Sequence, residues 1–228
     1  MAPLTGISSM ATRALLAELA QAFERRTGRA VAFESVGGVD AAQRVAAGEA
    51  FDVVALARDA IDRLAAAGHV VAASRVNVAR SGVAVAVRAG TAQPDITSEA
   101  ALKAAVLGAS RIGTSTGPSG VQLQQLFQRW GIADEIAARL VTAPPGVAVG
   151  RLVADGEVEL GFQQLSELMS LPDIAVLGPL PAAVRISTVF AAALGTQSHD
   201  AEGARELLVY LGAPHTAAIK QRHGMESA

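Results

Sequence analysis

The chain has 228 residues, of which 51% are hydrophobic and 18% charged, with a formal net charge of −2. This suffices for one large domain or two lobes of about 100 residues each. It excludes a disordered chain and a nucleic-acid binder living on phosphate contacts. There are no cysteines, and the four histidines, His69, His199, His215 and His223, stand far apart without HExxH spacing. Disulfides, thiol nucleophiles and Cys- or His-built metal sites therefore drop out, and no metal or cofactor is expected.

Short β-rich runs alternate with longer helical ones, the pattern of an α/β chain with mainly parallel strands. After a short apolar start, Met10 to Arg26 reads as a helix with Leu16, Leu19, Ala20 and Phe23 on one face, ended by Gly28. "RAVAFES" is a strand, "GVDAAQRVAAG" a short helix, "FDVVALA" a buried strand and "DAIDRLAAAG" a helix. A new strand begins at "RSGVAVAVRAG", and "PDITSEAALKAAVLG" is a loop and helix with Ser98 as N-cap. Arg111–Ile112 leads into a small-residue corner and a helix from Val121 to Trp130, in which Leu126, Phe127 and Trp130 are core candidates, as is Met10 earlier. "GVAVGRLVADG" is a helix, "EVELGFQQ", "DIAVLGPLP" and "VRISTVFAAALG" are strands, and two helices close the chain.

This order predicts two βαβ lobes, residues 1–79 plus 189–228 and residues 80–188, joined by two crossover strands acting as a hinge over a cleft. No apolar run approaches the roughly 18 residues of a membrane span, so no direct membrane insertion is expected. The opening "MAPLTG" reads as an initiator Met before a mature N-terminus. The expected location is periplasmic or secreted, after removal of a signal peptide absent from this sequence, with the cytoplasm left open. A monomer is expected.

Three strand-to-helix corners carry the functional argument: Ser8–Ser9, "ESVGGVD" with Ser35, Gly37 and Gly38, and Thr114 to Gly120. A helix start leaves about four N–H groups without partners and carries partial positive charge, so such corners can hold an anion. One serine before a helix is ordinarily only an N-cap worth about 1 kcal/mol. The third corner offers Thr114, Ser115, Thr116 and Ser119 within six positions, more hydroxyls than a cap requires. It lacks the Lys of a phosphate-binding P-loop, and "GTSTG" matches a hydrolase elbow in spacing alone.

The opening Ser pair before "LLAELAQAFERRTG", the run "VAFESVGG…AAQRVAAGEAFDVVALA", "STGPSG", "RLVADGEVELGF" and the closing "ELLVYLGAPHTAAIKQRHG" resemble the periplasmic molybdate-binding protein family, over almost the whole chain. The resemblance implies a two-lobe type II periplasmic-binding fold, mixed sheets flanked by helices, with an oxyanion held between the lobes. It implies that Ser8 or Ser9 supplies a hydroxyl, that Ser119 and Gly120 lie at an amide-donating turn, and that Val147 supplies another amide. The family's second serine falls near Gly38 or Val39, with Ser35 close by, and its tyrosine falls near Gln163. With Arg80 and Ser81 at the expected hinge, the polar set suits a small carboxylate better than a bare tetrahedral oxyanion.

The leading expectation is thus a solute-binding protein that presents a small anion to an ABC-type transporter permease. The alternative is an enzyme resembling the aconitate isomerases, moving an allylic proton between cis- and trans-aconitate, with Glu34 as the nearest candidate base. A sensor using the same fold is a third possibility.

Overall fold

The computed structural model describes residues 2–144 and 146–228. In chain order it runs β1 (Leu4–Ser9), α1 (Arg13–Thr27), β2 (Val31–Val36), α2 (Gly38–Ala46), β3 (Val53–Ala57), α3 (Arg58–Ala66) and the long β4 (Val76–Arg88). Next come α4 (Glu99–Gly108), β5 (Ile112–Thr114), α5 (Pro118–Arg129), α6 (Ala133–Ile136), β6 (Leu140–Thr142), α7 (Val149–Ala154), β7 (Leu160–Gln164) and α8 (Leu165–Leu168). The chain closes with β8 (Ile174–Pro179), β9 (Ser187–Leu194), α9 (Ala201–Gly212), α10 (Ala217–Arg222) and β10 (Met225–Glu226).

Two compact units emerge, residues through Ser81 together with Thr188–Ala228, and Gly82–Ser187. In the first, β1 lies between β2 and β3, all parallel, and β9 runs antiparallel to β3. Both faces of this sheet are buried. Leu4, Val53 and Ala192 join Leu16, Leu19 and Phe23 of α1 on one side, while Ile7, Val54 and Leu56 join Val45 of α2 and Ile61 of α3 on the other. The alternation follows from the period of two along a strand.

In the second unit β7, β5 and β6 are parallel, and β4 runs antiparallel to both β7 and β8. Val83, Val85, Ile112 and Phe162 pack against Leu102, Leu126 and Phe127, while Val149 and Val153 of α7 cover the opposite face with Val158. Leu126 and Phe127 are core, as expected. Trp130 is only partly buried and donates its Nε1–H to Glu99.

Local chemistry explains most boundaries. Gly28 ends α1 at φ 75, a left-handed value that costs glycine little. The Ser98 hydroxyl accepts from the Ala101 N–H at 3.1 Å and caps α4 as expected. Three differences from the sequence reading have simple causes. Met10–Thr12 forms a 3₁₀ turn, so α1 begins at Arg13. Pro118, whose missing N–H costs nothing at a first turn, brings the start of α5 three residues forward of Val121. The strand expected from Arg80 is the second half of a 13-residue strand from Val76.

Candidate functional site

In the first unit the carboxyl ends of β1 and β2 lie side by side, with Ser8 level with Ser35 and Ser9 level with Val36. Ser8 is fully buried, and its hydroxyl shares a 2.7 Å hydrogen bond with that of Ser35. Ser9 is also buried, and the Thr12 hydroxyl donates to its carbonyl at 3.0 Å. Gly38, the first residue of α2, sits so that a Cβ there would touch the Ser9 side chain at 3.5 Å. The fold thus gathers Ser8, Ser9, Ser35 and Gly38, with Gly37 just before α2, at one end of the parallel strands. A 9-residue helix starting there offers free amides beside these hydroxyls.

The second unit repeats the construction at the carboxyl ends of β5, β6 and β7. Ser115 and Ser119 hydroxyls approach to 3.3 Å, and Ser119 lies buried as the second residue of α5. Gly120 is required sterically, because a Cβ there would overlap the Ser115 carbonyl oxygen. Thr116 is exposed. Thr114, at the tip of β5, is 1% exposed, and its hydroxyl finds no hydrogen-bond partner. A buried hydroxyl without a partner costs about 1–3 kcal/mol, which makes Thr114 a candidate for a bond to a bound group.

Beside this corner, Gln163 at the end of β7 is 3% exposed. Its Oε1 accepts from the Gly150 N–H of α7 at 3.0 Å, and its Nε2 donates to Glu167 Oε2 at 2.6 Å. Burial pushes the Glu167 carboxyl up to about 7, with the Gln163 hydrogen bond opposing the rise. The sequence reading missed Glu167. Its only signal was the four-residue spacing Gln163–Glu167 in "QQLSEL", which becomes contact only once α8 forms directly after β7.

The remaining expected residues are placed differently. The Val147 N–H donates to the Pro144 carbonyl at 3.0 Å, closing a turn. Arg80 is exposed on β4, level with Glu226 of β10, and Ser81 beside it is buried. Glu34 is exposed and accepts from Nη1 and Nη2 of Arg44, at 2.5 and 2.9 Å. That pairing holds the Glu34 carboxyl below its ordinary range, opposite to what a base working near neutrality needs. Among the described residues no group of His, Asp and Glu side chains is arranged to hold a metal ion, and no helix is long and apolar enough to cross a membrane.

Parallel α/β units with ligand-ready corners at the carboxyl ends of their strands define a class of anion-binding folds. The chain belongs to the bacterial extracellular solute-binding protein family, whose model matches residues 4–226. Its mixed α/β fold is shared with the periplasmic molybdate-binding protein of Azotobacter vinelandii at a TM-score of 0.80, with 22% identity and coverage of 97% and 98% of the two chains. The sulfate-binding protein SubI of Mycobacterium tuberculosis H37Rv matches at 0.77, with 16% identity over 99% of this chain and 86% of that one. A much nearer sequence is the aconitate isomerase of Pseudomonas sp, 36% identical over 231 residues, covering 98% of this chain and 87% of that protein.

Proposed function

We propose that this protein binds a small polycarboxylate and isomerises it by moving an allylic proton, as an aconitate isomerase. The observation that carries this reading is the 36% identity over nearly the whole chain to a protein of that name. The geometry gives it a physical basis. Both units offer hydroxyls beside the starts of helices of at least nine residues, where carboxylate charge is welcome. Removing a proton from a carbon next to a carboxylate sends negative charge onto the carboxylate oxygens. Fixed donors at those oxygens stabilise that charge more than they stabilise the substrate. Each corner is proposed as an anion contact within its own unit: Ser8, Ser9 and Ser35 in the first, and Thr114, Ser115 and Ser119 in the second.

Family membership favours a second reading, in which the same corners bind a small anion for delivery to an ABC-type transporter from the periplasm. Incubating the protein with trans-aconitate and monitoring the solution by proton NMR separates the two. Appearance of cis-aconitate supports the isomerase. Thermal stabilisation by aconitate, molybdate or sulfate without turnover supports the carrier, and neither result leaves neither reading standing. In both cases Ser119→Phe is expected to abolish ligand-induced stabilisation, because it fills the start of α5.

A further inference from the structure

The isomerase reading leaves the proton carrier unassigned. Resting on that reading, we propose that Glu167 is the catalytic base, taking the allylic proton of the bound polycarboxylate on its free oxygen and returning it at the far end of the same allylic system.

The geometry has three parts. One carboxyl oxygen of Glu167 is pinned by Gln163 Nε2 at 2.6 Å, and Gln163 is itself pinned by the Gly150 N–H at 3.0 Å. The pinned oxygen is Oε2, which leaves Oε1 as the oxygen proposed to take the proton. The acid is also held at the correct end of the sheet. Gly113 of β5 is level with Gly161 of β7, and two residues further along lie Ser115 of the hydroxyl corner and Gln163.

The third part is charge. Beside Glu167, α8 carries no other ionisable group, and neither do β7 or β8, against which it packs. On α7 the one charged side chain, Arg151, is exposed and paired with Asp155 at 2.8 Å. On β4, Arg88 is exposed at the end of the strand, and Arg80, also exposed, lies four residues before Ala84, where the strand pairs with β8. Among the described residues no cation on α8, β7 or β8 faces it, and burial pushes the carboxyl up to about 7, the range in which an acid exchanges between its two states. A shuttle needs both, one to take the proton and one to return it.

The step balances without any co-reactant. One C–H bond breaks, its electron pair enters the conjugated system, and the charge rests on the attached carboxylate. The double bond shifts by one carbon as a new C–H bond forms with the proton carried by Glu167. No oxidant or reductant is consumed.

The test compares Glu167→Gln with the parent protein, using trans-aconitate, proton NMR in D₂O and thermal shift. The expected result is a loss of turnover on the order of 10²–10⁴-fold, the usual contribution of a positioned base, with aconitate-induced stabilisation retained. Parent turnover with E167Q turning over within threefold overturns the assignment and leaves the isomerase reading intact. Parent binding without turnover or allylic deuterium exchange overturns both. Loss in Glu34→Gln with normal activity in E167Q also overturns the assignment. Should E167Q fail to fold, Glu167→Asp decides, because withdrawing the acid by one methylene should slow turnover at least about tenfold. A parent-like rate in E167D would overturn the proposal.

Discussion

Two carboxylates withdrawn from bulk water, one in each unit, have opposite fates. Asp52, ahead of β3, accepts from the Thr5 N–H and hydroxyl, the Ser198 hydroxyl, and the N–H groups of His199 and Asp200, at 2.7 to 3.2 Å. Burial alone would raise its pKa, but these donors together hold it below the ordinary range. Glu167 has a single donor, and burial wins. Depth is thus a poor guide to a carboxyl's character, and the number of donors aimed at its charged form decides. A carboxylate with five donors fixes β1, β3 and the segment after β9 in place, whereas one with a single donor keeps a proton within reach.

Breaking the Asp52 side should have the larger effect. Asp52→Ala leaves several donors without their charged acceptor, and a stability loss of about 3 kcal/mol is expected by chemical denaturation. The pH profile is fixed by the sign. A carboxylate whose folded pKa is depressed contributes stability above its unfolded value near 4, and that contribution disappears as pH falls through the folded value. Asp52→Asn should therefore be less stable than the parent at pH 7, with the gap narrowing toward pH 2.

Glu167 should behave oppositely. Its folded pKa lies near 7 and its unfolded value near 4.5, so ionising it opposes folding as pH rises across that window. At about 1.4 kcal/mol per pH unit the ceiling is about 3.5 kcal/mol, and the partial water access of this side chain reduces it. Glu167→Gln keeps the acceptor for Gln163 and removes the charge. It should be more stable than the parent by about 1–2 kcal/mol at pH 8 and equal to it at pH 4, as read from melting curves. A variant that gains stability while losing turnover is a mark of a site held in strain for function. Equal stability at pH 8 would show that water reaches the acid freely.

How much of this the sequence disclosed depends on the range of the interactions. The corners that hold Ser8, Ser9, Ser119 and Gly120 were legible as strand-to-helix turns because such turns have a local composition. Leu126 and Phe127 were legible because helical spacing is local too. Asp52 was not, since its donors come from residues 47 positions before it and 146 to 148 after it. Glu167 lay four residues from a predicted site residue, yet nothing in "QQLSEL" reveals that α8 packs on β7 and β8, neither of which carries a charged side chain. Val147 illustrates a related limit. A resemblance transfers a position, and here the turn closed by Pro144 had already engaged its amide.

Finer changes test whether donor count governs both acids. Ser198→Ala withdraws one of five donors from Asp52, and a loss of about 1 kcal/mol is expected, with the acid limb of stability moving slightly upward in pH. Gln163→Met withdraws the only donor from Glu167. Because that hydrogen bond opposes the effect of burial, its removal should raise the carboxyl further, moving the pH–rate limb of aconitate turnover upward by about half a pH unit. The same change leaves the Gly150 N–H without an acceptor and should lower stability by about 1 kcal/mol at every pH. The two consequences are separable, since only the first depends on pH. If the limb stays in place while stability falls, Gln163 serves α7 alone, and the acidity of Glu167 is set by burial without help from its neighbour.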